Sequence, residues 1–261
     1  MARFAGRAVL VSGAAGGFGR SIATALAAEG ARLVLTDRDE GSLEALAAEL
    51  TGTDIATLAG DVSREATASA LVDLATERFC GLDIAINNAG IAHEYRRLQE
   101  ISAEEAERVI AVDLMGVFFA MKHQIAAMNA RFARDGTKAA IVNVASVAGL
   151  GGAPLLSVYA AAKHGVIGLT KSAAAENASR GLRINAVCPS FARTAMVLGA
   201  PGSLAGATEP SEAEQKIVRG IPMRRLAEID EVVTAVLFAA DPANGFMTGA
   251  AIPVDGGLTA I

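Results

Sequence analysis

Short apolar runs alternate with longer segments of helical periodicity along this chain, and glycine or polar residues separate them. Apolar runs bounded in this way are typical of strands buried on both faces, whereas apolar residues repeated every three or four positions indicate amphipathic helices. The alternation continues over the whole length and predicts an α/β fold, a doubly wound parallel sheet of about seven strands with helices on both faces. The predicted strands are 8–11, 32–37, 55–60, 84–86, 140–144, 183–187 and 251–254.

Predicted helices fill the gaps between these strands, and the first ends before Gly30. Periodicity weakens from 191 to 222, where glycine and proline interrupt it; a long irregular segment of this kind is typical of a loop that binds substrate. No internal repeat or linker is visible, so we expect one domain over residues 1–261. The other predicted helices are 42–50, 63–78, 102–133, 157–180 and 230–239.

Composition narrows the class of protein. Of the 261 residues, 52% are hydrophobic and 4% aromatic, so the core consists of small aliphatic side chains, and the net charge of −5 gives no indication of nucleic acid as a partner. No apolar run predicts a membrane span, and the first strand begins too early to leave room for a signal peptide. Cys80 and Cys188 lack metal or disulfide spacing, so we expect a reduced, cytoplasmic setting and no metal site.

A glycine-rich segment, 12–19, follows the first strand and precedes the first helix. Glycine allows a tight turn and close approach of the backbone to a diphosphate, and a helix N-terminus presents free N–H groups. An ordinary β–α turn is the alternative, but the strand–loop–helix context favours dinucleotide binding. The candidate contacts are Gly13, Gly17, Phe18 and Gly19.

Asp37 ends the second predicted strand, close to the position at which an acid binds the adenosine ribose hydroxyls. A carboxylate there repels a 2′-phosphate and therefore favours NAD over NADP. The alternative is that Asp37 and Asp39 cap the helix that begins near Ser42. Arg38 is a competing signal, because a neighbouring arginine can hold a 2′-phosphate.

Two further strand ends carry polar residues. Asp61 and Val62 follow the third strand, where the acid is positioned to bind an adenine edge or to cap the next helix. Asn88, Ala89 and Gly90 follow the fourth strand and are either a simple turn or part of the ligand site. Ligands bind at the carboxyl edge of open parallel sheets, and this favours the ligand site.

Ser146 follows the fifth strand, and Tyr159 and Lys163 lie four positions apart in the next helix, on one face. A hydroxyl, a phenol and an ammonium at one place suit proton transfer to or from an alcohol oxygen. Alternatively, Ser146 binds backbone and the other two are a surface pair. Asp113 lies among apolar residues in the long helix 102–133, so we expect a buried acid that needs a partner.

Together these residues resemble the single-domain branch of the short-chain dehydrogenase/reductase family, a Rossmann-like fold. Segment 12–19 is similar to the motif TGxxxGxG with serine at its head, 87–90 matches NNAG, and Tyr159 and Lys163 match YxxxK. Segments 185–194 and 254–257 are similar to further family signatures, so the resemblance covers nearly the whole chain.

The resemblance implies a role for each matched residue. Tyr159 is the general acid/base, Lys163 binds the nicotinamide ribose and lowers the pKa of the tyrosine, and Ser146 orients the substrate oxygen. The rest of the dinucleotide is bound by the glycine loop, by Asp37, by Asp61 and Val62, and by Asn88 with its neighbours. The backbone from Pro189 to Thr194 meets the nicotinamide. Gly16 stands where NADP-preferring relatives often have a basic residue, which again favours NAD.

Two positions depart from the family pattern. Asp113 replaces the asparagine of the V-N-x-x-G pattern, so a carboxylate takes the place of an amide beside the proton relay. An ionised carboxylate cannot donate a hydrogen bond, and its charge holds Lys163 as an ammonium. Ser190 replaces the glycine that usually follows the proline and puts the local backbone path in question.

The predicted function is an NAD-dependent oxidoreductase that interconverts a secondary alcohol and a ketone. The candidate pocket segments 147–156 and 195–204, which include Met196, are apolar, so we expect a neutral hydrophobic substrate such as a cyclic, aryl or hydroxysteroid-like alcohol. A 3-oxoacyl thioester is an alternative, because His93, Arg96 and Arg97 are placed to contact an acidic or acyl-carrier substrate. We expect these three side chains to be solvated surface instead.

Two other classes are alternatives. A dinucleotide-binding regulator without catalysis is possible on the same fold, and only Asp113 favours it. A sugar-nucleotide epimerase or dehydratase shares the Tyr and Lys pair but usually needs a separate substrate domain. Family members are usually homotetramers or homodimers, so we expect the helices of Asp113 and Tyr159 to lie between subunits.

Overall fold

The structure is a computed structural model that describes residues 2–194 and 212–260. Its centre is a seven-stranded parallel sheet with the strand order β3-β2-β1-β4-β5-β6-β7. Each strand starts and ends within a few residues of its prediction, and the doubly wound, Rossmann-like architecture is confirmed. The strand order reverses between β1 and β4, where the crevice of such a sheet lies. The strands are β1 Ala8–Ser12, β2 Arg32–Thr36, β3 Ile55–Thr57, β4 Ile84–Asn87, β5 Ala139–Val144, β6 Leu182–Pro189 and β7 Ala251–Val254.

Helices cover both faces of the sheet because side chains alternate along each strand. In β1, Val9 and Val11 pack into one apolar cluster with α1, α2 and α8, whereas Ala8 and Leu10 pack into the other with α3, α5 and α6. The described helices are α1 Gly17–Ala28, α2 Glu40–Glu49, α3 Glu65–Phe79, α4 Ala103–Ile110, α5 Gly116–Asp135, α6 Ser157–Asn177, α7 Glu212–Gly220 and α8 Ile229–Ala240.

A five-residue π-helical segment, Ala111–Met115, joins α4 to α5 and makes one continuous helix, with Asp113 at its centre. Such segments are frequent at functional sites. By length and composition alone, Ala103–Asp135 is long and apolar enough to cross a membrane, with a mean hydropathy of 1.4 and 33% of that window buried. Core helices of soluble proteins meet the same criterion, so the finding by itself indicates little.

Two predicted boundaries were wrong. The segment predicted as a loop at 191–222 contains α7 Glu212–Gly220, and residues 195–211 lie outside the described part of the chain. Asp230 lies in the first turn of α8, and Glu228 is the N-cap residue in its place. Charged residues dominate α7, so its apolar periodicity was too weak to predict a helix.

A buried polar network lies beneath the carboxyl edge of the sheet. Asn143 of β5 accepts a hydrogen bond from Asn87 of β4 at 2.9 Å and donates one to Thr170 of α6 at 2.9 Å. The amides of Asn87 and Gln124 exchange two further hydrogen bonds, of 3.1 and 2.8 Å. The network therefore joins the two central strands to α5 and α6 directly under the site described below.

We expect Asn143→Ala to lower the free energy of unfolding by about 2–4 kcal/mol, because it removes two buried hydrogen bonds, one to Asn87 and one to Thr170, and leaves a void between them. Urea denaturation at one fixed protein concentration measures the change. The matched control is Asn129→Ala, since Asn129 is half-buried and makes a single bond to Asn177 at 2.7 Å. If both variants lost the same free energy of unfolding, the buried network would stabilise the fold no more than the single half-buried hydrogen bond of Asn129.

Candidate active site

The candidate site lies where β1 and β4 run side by side, at the point where the strand order reverses. β1 ends at Ser12 and leads into the glycine loop, and β4 ends at Asn87 and leads into residues 88–90. Because both strands are parallel, their carboxyl ends meet at one edge. The two motifs predicted to bind a dinucleotide are therefore neighbours in space.

Glycine is required by geometry at two positions of this loop. Gly13 has a φ of +64°, and a Cβ there would lie 2.8 Å from Cα of Ala89. A Cβ on Gly19 would lie 1.9 Å from the carbonyl oxygen of Gly13. Helix α1 starts at Gly17 with Gly16 as its N-cap, which has no side chain to accept from the first N–H groups. Those N–H groups remain available to an anion.

Asn88 holds the loop in place. Its side-chain amide donates to the carbonyl oxygens of Ser12 and Gly13 at 3.0 and 3.1 Å. In return, the Ser12 hydroxyl oxygen accepts the N–H groups of Asn88 and Ala89 at 3.1 and 3.2 Å. The NNAG segment is thus a clamp on the glycine loop and more than a simple turn.

Asp37 is tied to the same loop. One carboxylate oxygen accepts the N–H of Ala15 at 3.0 Å, and the other accepts the N–H of Asp39 at 3.2 Å. The cap of α2 is Asp39 alone, which accepts the N–H of Ser42 at 3.0 Å. The alternative reading of Asp37 as a helix cap is therefore wrong, and its role at the ribose stays a prediction.

Asp61 makes a local turn. It accepts the N–H of Ser63 at 2.9 Å, and hydrogen bonds from Ser63 hold the pKa of Asp61 below its ordinary value. Arg64 is the N-cap residue of α3, so Asp61 does not cap that helix. Val62 lies against Gly116, where an added Cβ would lie 3.1 Å from the Val62 carbonyl oxygen. Adenine binding by Asp61 and Val62 stays a prediction.

The structure places the other half of the predicted site at the ends of β5 and β6. Ser146 follows β5; its hydroxyl accepts the N–H of Ala148 at 3.1 Å and donates to the carbonyl oxygen of Pro189 at 3.4 Å. Lys163 of α6 donates to the carbonyl oxygen of Val144 at 3.3 Å, and its ammonium lies 5.4 Å from the ring centre of Tyr159. These groups share one edge with the glycine loop.

Asp113 is the buried partner of Lys163. Oδ1 of Asp113 accepts the N–H of Ile91 at 2.8 Å, and Oδ2 lies 3.1 Å from Lys163 Nζ, with side chains 0% and 4% exposed. Oδ2 has no well-aligned donor among the described residues, so this contact is an ion pair. Burial by itself lowers the pKa of Lys163, but the charges of Asp113 and Tyr159 outweigh it and raise that pKa above its ordinary value.

Comparison with known proteins agrees with this geometry. A family model described as enoyl-(acyl carrier protein) reductase matches residues 13–259. The chain belongs to the short-chain dehydrogenase/reductase family.

Its relatives in this family match over nearly their full length. Levodione reductase of Leifsonia aquatica is 36% identical, with 99% of this chain and 96% of the relative covered. Cis-4-hydroxycyclohexanecarboxylate dehydrogenase of Sinomonas cyclohexanicum is 39% identical, covering 99% and 98%. A 2,5-dichloro-2,5-cyclohexadiene-1,4-diol dehydrogenase of Sphingobium indicum is 36% identical, covering 100% of both. These relatives are oxidoreductases, and this chain is one too.

Solved structures of the family are similar throughout. A crystal structure of levodione reductase matches with a TM-score of 0.91 and 36% identity, covering 98% of this chain and 99% of the other. A 3-ketoacyl-(acyl-carrier-protein) reductase from Brucella melitensis, complexed with NADH, matches with a TM-score of 0.88 and 32% identity, covering 98% and 99%.

The residues present fit the nicotinamide dinucleotide that this family binds. The glycine loop forms a cradle whose shape depends on Gly13 and Gly19, because a Cβ on either would collide with the protein's own backbone. Gly90 allows a similarly close approach to Lys163, whose Nζ would lie 3.2 Å from a Cβ at that position. The free N–H groups of the glycine loop and the Lys163 ammonium lie at the same edge of the sheet.

The backbone after β6 continues its pairing with β7 although Ser190 replaces the glycine of the family pattern. The N–H of Ser190 donates to the carbonyl oxygen of Val254 at 3.0 Å, so the strand pairing continues past Pro189 despite the missing glycine. Thr194 is buried, and its N–H donates to the carbonyl oxygen of Ala192 at 2.7 Å. Met196, predicted to contact substrate, lies outside the described residues.

The prediction of a solvated surface after the NNAG segment was wrong for His93, which is 3% exposed. It holds for Arg96 and Arg97, which are exposed, and Arg96 pairs with Glu94 at 2.6 Å. Tyr95 was not predicted as a site residue; burial and the nearby charge of Tyr159 raise the pKa of Tyr95. No sequence motif predicts the burial of His93 or the nearness of Tyr95 to Tyr159, because both depend on how the loop after β4 folds back.

We expect Gly19→Ala to abolish measurable dinucleotide binding, a loss of at least about 100-fold, because the new Cβ would overlap the Gly13 carbonyl oxygen. Fluorescence titration with NADH measures the loss. Gly16→Ala is the matched control, since a Cβ there meets nothing within 4 Å and φ is −143°. If Gly19→Ala bound NADH as tightly as Gly16→Ala, the loop would not be the cradle described.

Proposed function

We propose that this protein is an NAD-dependent oxidoreductase that interconverts a secondary alcohol and a ketone, with Tyr159 as general acid/base. The observation that carries the proposal is the cation beside the phenol. The Lys163 ammonium lies 5.4 Å from the Tyr159 ring centre and is held by a buried carboxylate, at the edge that also bears the glycine loop. A regulator without catalysis would use Lys163 to bind the nicotinamide ribose, but it would not need a phenol beside that lysine.

Bound nicotinamide dinucleotide supplies the hydride acceptor or donor. The chain's own residues handle the proton and the orientation. In alcohol oxidation, Tyr159 takes the hydroxyl proton, and the Lys163 charge stabilises the negative charge on the phenol oxygen that accepts it. Ser146 holds the substrate oxygen by a hydrogen bond from its hydroxyl. In ketone reduction, Tyr159 returns the proton to the same oxygen.

Preference for NAD rests on Asp37. Asp37 accepts the N–H of Ala15 in the glycine loop, and a carboxylate at this position would accept hydrogen bonds from the adenosine ribose hydroxyls and repel a 2′-phosphate. Gly16 adds no positive charge to that loop. Arg38 is exposed and favours the opposite choice at this point.

The proposed substrate is a cyclic secondary alcohol or the matching ketone. Two of the relatives are named for cyclohexane or cyclohexadiene rings with oxygen functions, and a third is a levodione reductase. Around the site, Leu150 and Leu155 expose apolar surface that suits such a ring. A 3-oxoacyl thioester is the second candidate, supported by the similar NADH-bound 3-ketoacyl reductase.

We further propose that the protein is a cytoplasmic homotetramer or homodimer. Met115 and Phe118, on the long helix that carries Asp113, are 37% and 40% exposed. Burial of this apolar surface between copies would stabilise an assembly. An interface between copies of the chain would then account for the exposed apolar residues of this helix, and no membrane contact is needed to explain them.

The test of the reaction class is purified protein with NAD⁺ and a panel of cyclic, aryl, steroid and acyclic secondary alcohols and 3-hydroxyacyl thioesters, followed by NADH absorbance. Turnover of the cyclic alcohols in preference to 3-hydroxyacyl thioesters is expected. Firm NADH binding without turnover of any alcohol or ketone would support the regulator.

Tyr159→Phe is expected to lower kcat by at least about 1000-fold, because the variant has no proton to exchange. NADH affinity, measured by fluorescence titration, stays within about twofold since the ring remains. Tyr95→Phe is the matched control and keeps most of the activity, because Tyr95 takes no proton in the mechanism. A Tyr159→Phe variant with most of its turnover would overturn the assignment.

Asp37→Ala is expected to shift the ratio of kcat/KM for NAD over NADP by about 10–100-fold toward NADP, since it removes the charge that repels a 2′-phosphate. Steady-state kinetics with both cofactors measures the ratio. Asp39→Ala, which removes only the cap of α2, is expected to cost about 1 kcal/mol of stability and to keep the native ratio. An unchanged ratio in Asp37→Ala would mean that Asp37 does not read the ribose.

A further inference from the structure

His93 is a buried side chain with one unused ring nitrogen. The residue is 3% exposed, its Nδ1 lies 2.7 Å from the carbonyl oxygen of Glu94, and its Nε2 is buried. Within residues 2–194 and 212–260, Nε2 has no hydrogen-bond partner. A buried polar atom without a partner costs about 1–3 kcal/mol, so its presence needs an explanation.

The contact with Glu94 fixes the proton on the ring. A carbonyl oxygen can only accept, so Nδ1 carries the hydrogen in the bond to Glu94. In the neutral ring, Nε2 is then a lone-pair acceptor. The group that completes this site must therefore donate a hydrogen bond, which a hydroxyl does and an ether, ketone or carboxylate does not.

The loop that carries His93 is pinned to the catalytic groups on both sides. Before it, the N–H of Ile91 donates to Asp113, the partner of Lys163. After it, the N–H of Arg96 donates to the carbonyl oxygen of Leu155 at 3.1 Å, four residues before Tyr159 in the chain. His93 thus lies on a short loop that is bound at one end to Asp113 and at the other to the segment just before Tyr159.

Leu155 adds a second sign that this wall is built for a ligand. It has a φ of +68°, the left-handed region that a branched side chain rarely adopts, and it is 44% exposed. Backbone strain of this kind costs about 1–3 kcal/mol and clusters at ligand sites. The strained residue is the one whose carbonyl oxygen holds the His93 loop.

We propose that Nε2 of His93 accepts a hydrogen bond from a second hydroxyl group of the substrate, so that the preferred substrate is a ring diol or a hydroxyketone. The inference rests on the proposed function and adds the chemical class of the group remote from the reacting carbon. The reacting oxygen is held by Ser146 and Tyr159, and the second hydroxyl is held by His93. A water molecule on Nε2, with no part in substrate binding, is the competing occupant.

The experiment compares three rings as substrates with NAD⁺: cyclohexane-1,4-diol, 4-methylcyclohexanol and 4-methoxycyclohexanol. The methyl compound has the shape of the diol without its second O–H, and the methoxy compound offers only an acceptor. We expect the kcat/KM of the diol to exceed that of each of the other two by about tenfold or more in the native enzyme, mainly through KM.

Two substitutions at His93 separate its nitrogens. His93→Asn offers an amide near the Nδ1 position and nothing at Nε2, so the ratio of kcat/KM for diol over methyl compound falls to about one. His93→Gln reaches the Nε2 position with an amide oxygen and keeps part of the ratio. His123→Asn is the control; it changes a histidine of α5 that pairs with Glu65 of α3, and we expect it to keep the ratio of the native enzyme.

The inference is overturned if the native enzyme has a ratio of kcat/KM for the diol over the methyl compound near one. It is also overturned if His93→Asn keeps the ratio of the native enzyme. Either result leaves the proposed function standing. If His93→Asn does not fold, as judged by its melting curve, the native ratio and that of His93→Gln decide. Absence of NAD⁺-dependent turnover with all cyclic alcohols overturns the proposed function, and this inference with it.

Discussion

The buried contact between Lys163 and Asp113 is the interaction on which the arrangement of the site depends. Each charge alone would be costly at this depth, and loss of one partner of such a pair typically costs about 3–5 kcal/mol. Asp113 also accepts the N–H of Ile91, so one carboxylate fixes the catalytic helix, the π-helical segment and the loop after β4 relative to one another. The position of the ammonium beside Tyr159 follows from that three-way contact.

A second clamp fixes the opposite end of the site. Ser12 and Asn88 exchange hydrogen bonds across β1 and β4, and Gly13 and Gly19 lie too close to their neighbours for any side chain. The loop after β4 takes part in both clamps, through Asn88 at one and Ile91 at the other. The distance between the glycine loop and the Lys163–Asp113 pair is therefore set by a few residues of one segment.

Sequence alone predicted the sheet and the order of its strands in the chain, because apolar runs and glycines are local signals. The family resemblance also placed the Asp113 charge beside Lys163. Sequence did not predict that Asp113 binds the N–H of Ile91 as well, since only the fold brings the loop after β4 against the π-helical segment. The burial of His93 was missed for the same reason: a polar residue in a loop reads as surface until the loop is seen to fold back. The amino-acid composition of the π-helical segment does not distinguish it from the α-helices on either side. Helix α7 was not predicted because it contains few apolar residues.

The carboxylate at position 113 changes what Lys163 is able to do. An amide at this position would leave the lysine charge without a counter-charge, whereas Asp113 raises the pKa of Lys163 despite complete burial. A raised pKa keeps Lys163 an ammonium at neutral pH. In the proposed mechanism, Lys163 is then a fixed positive charge beside Tyr159. The aspartate that replaces the expected asparagine holds that charge in place, and an ionised carboxylate cannot donate the hydrogen bond that an amide would donate at this position.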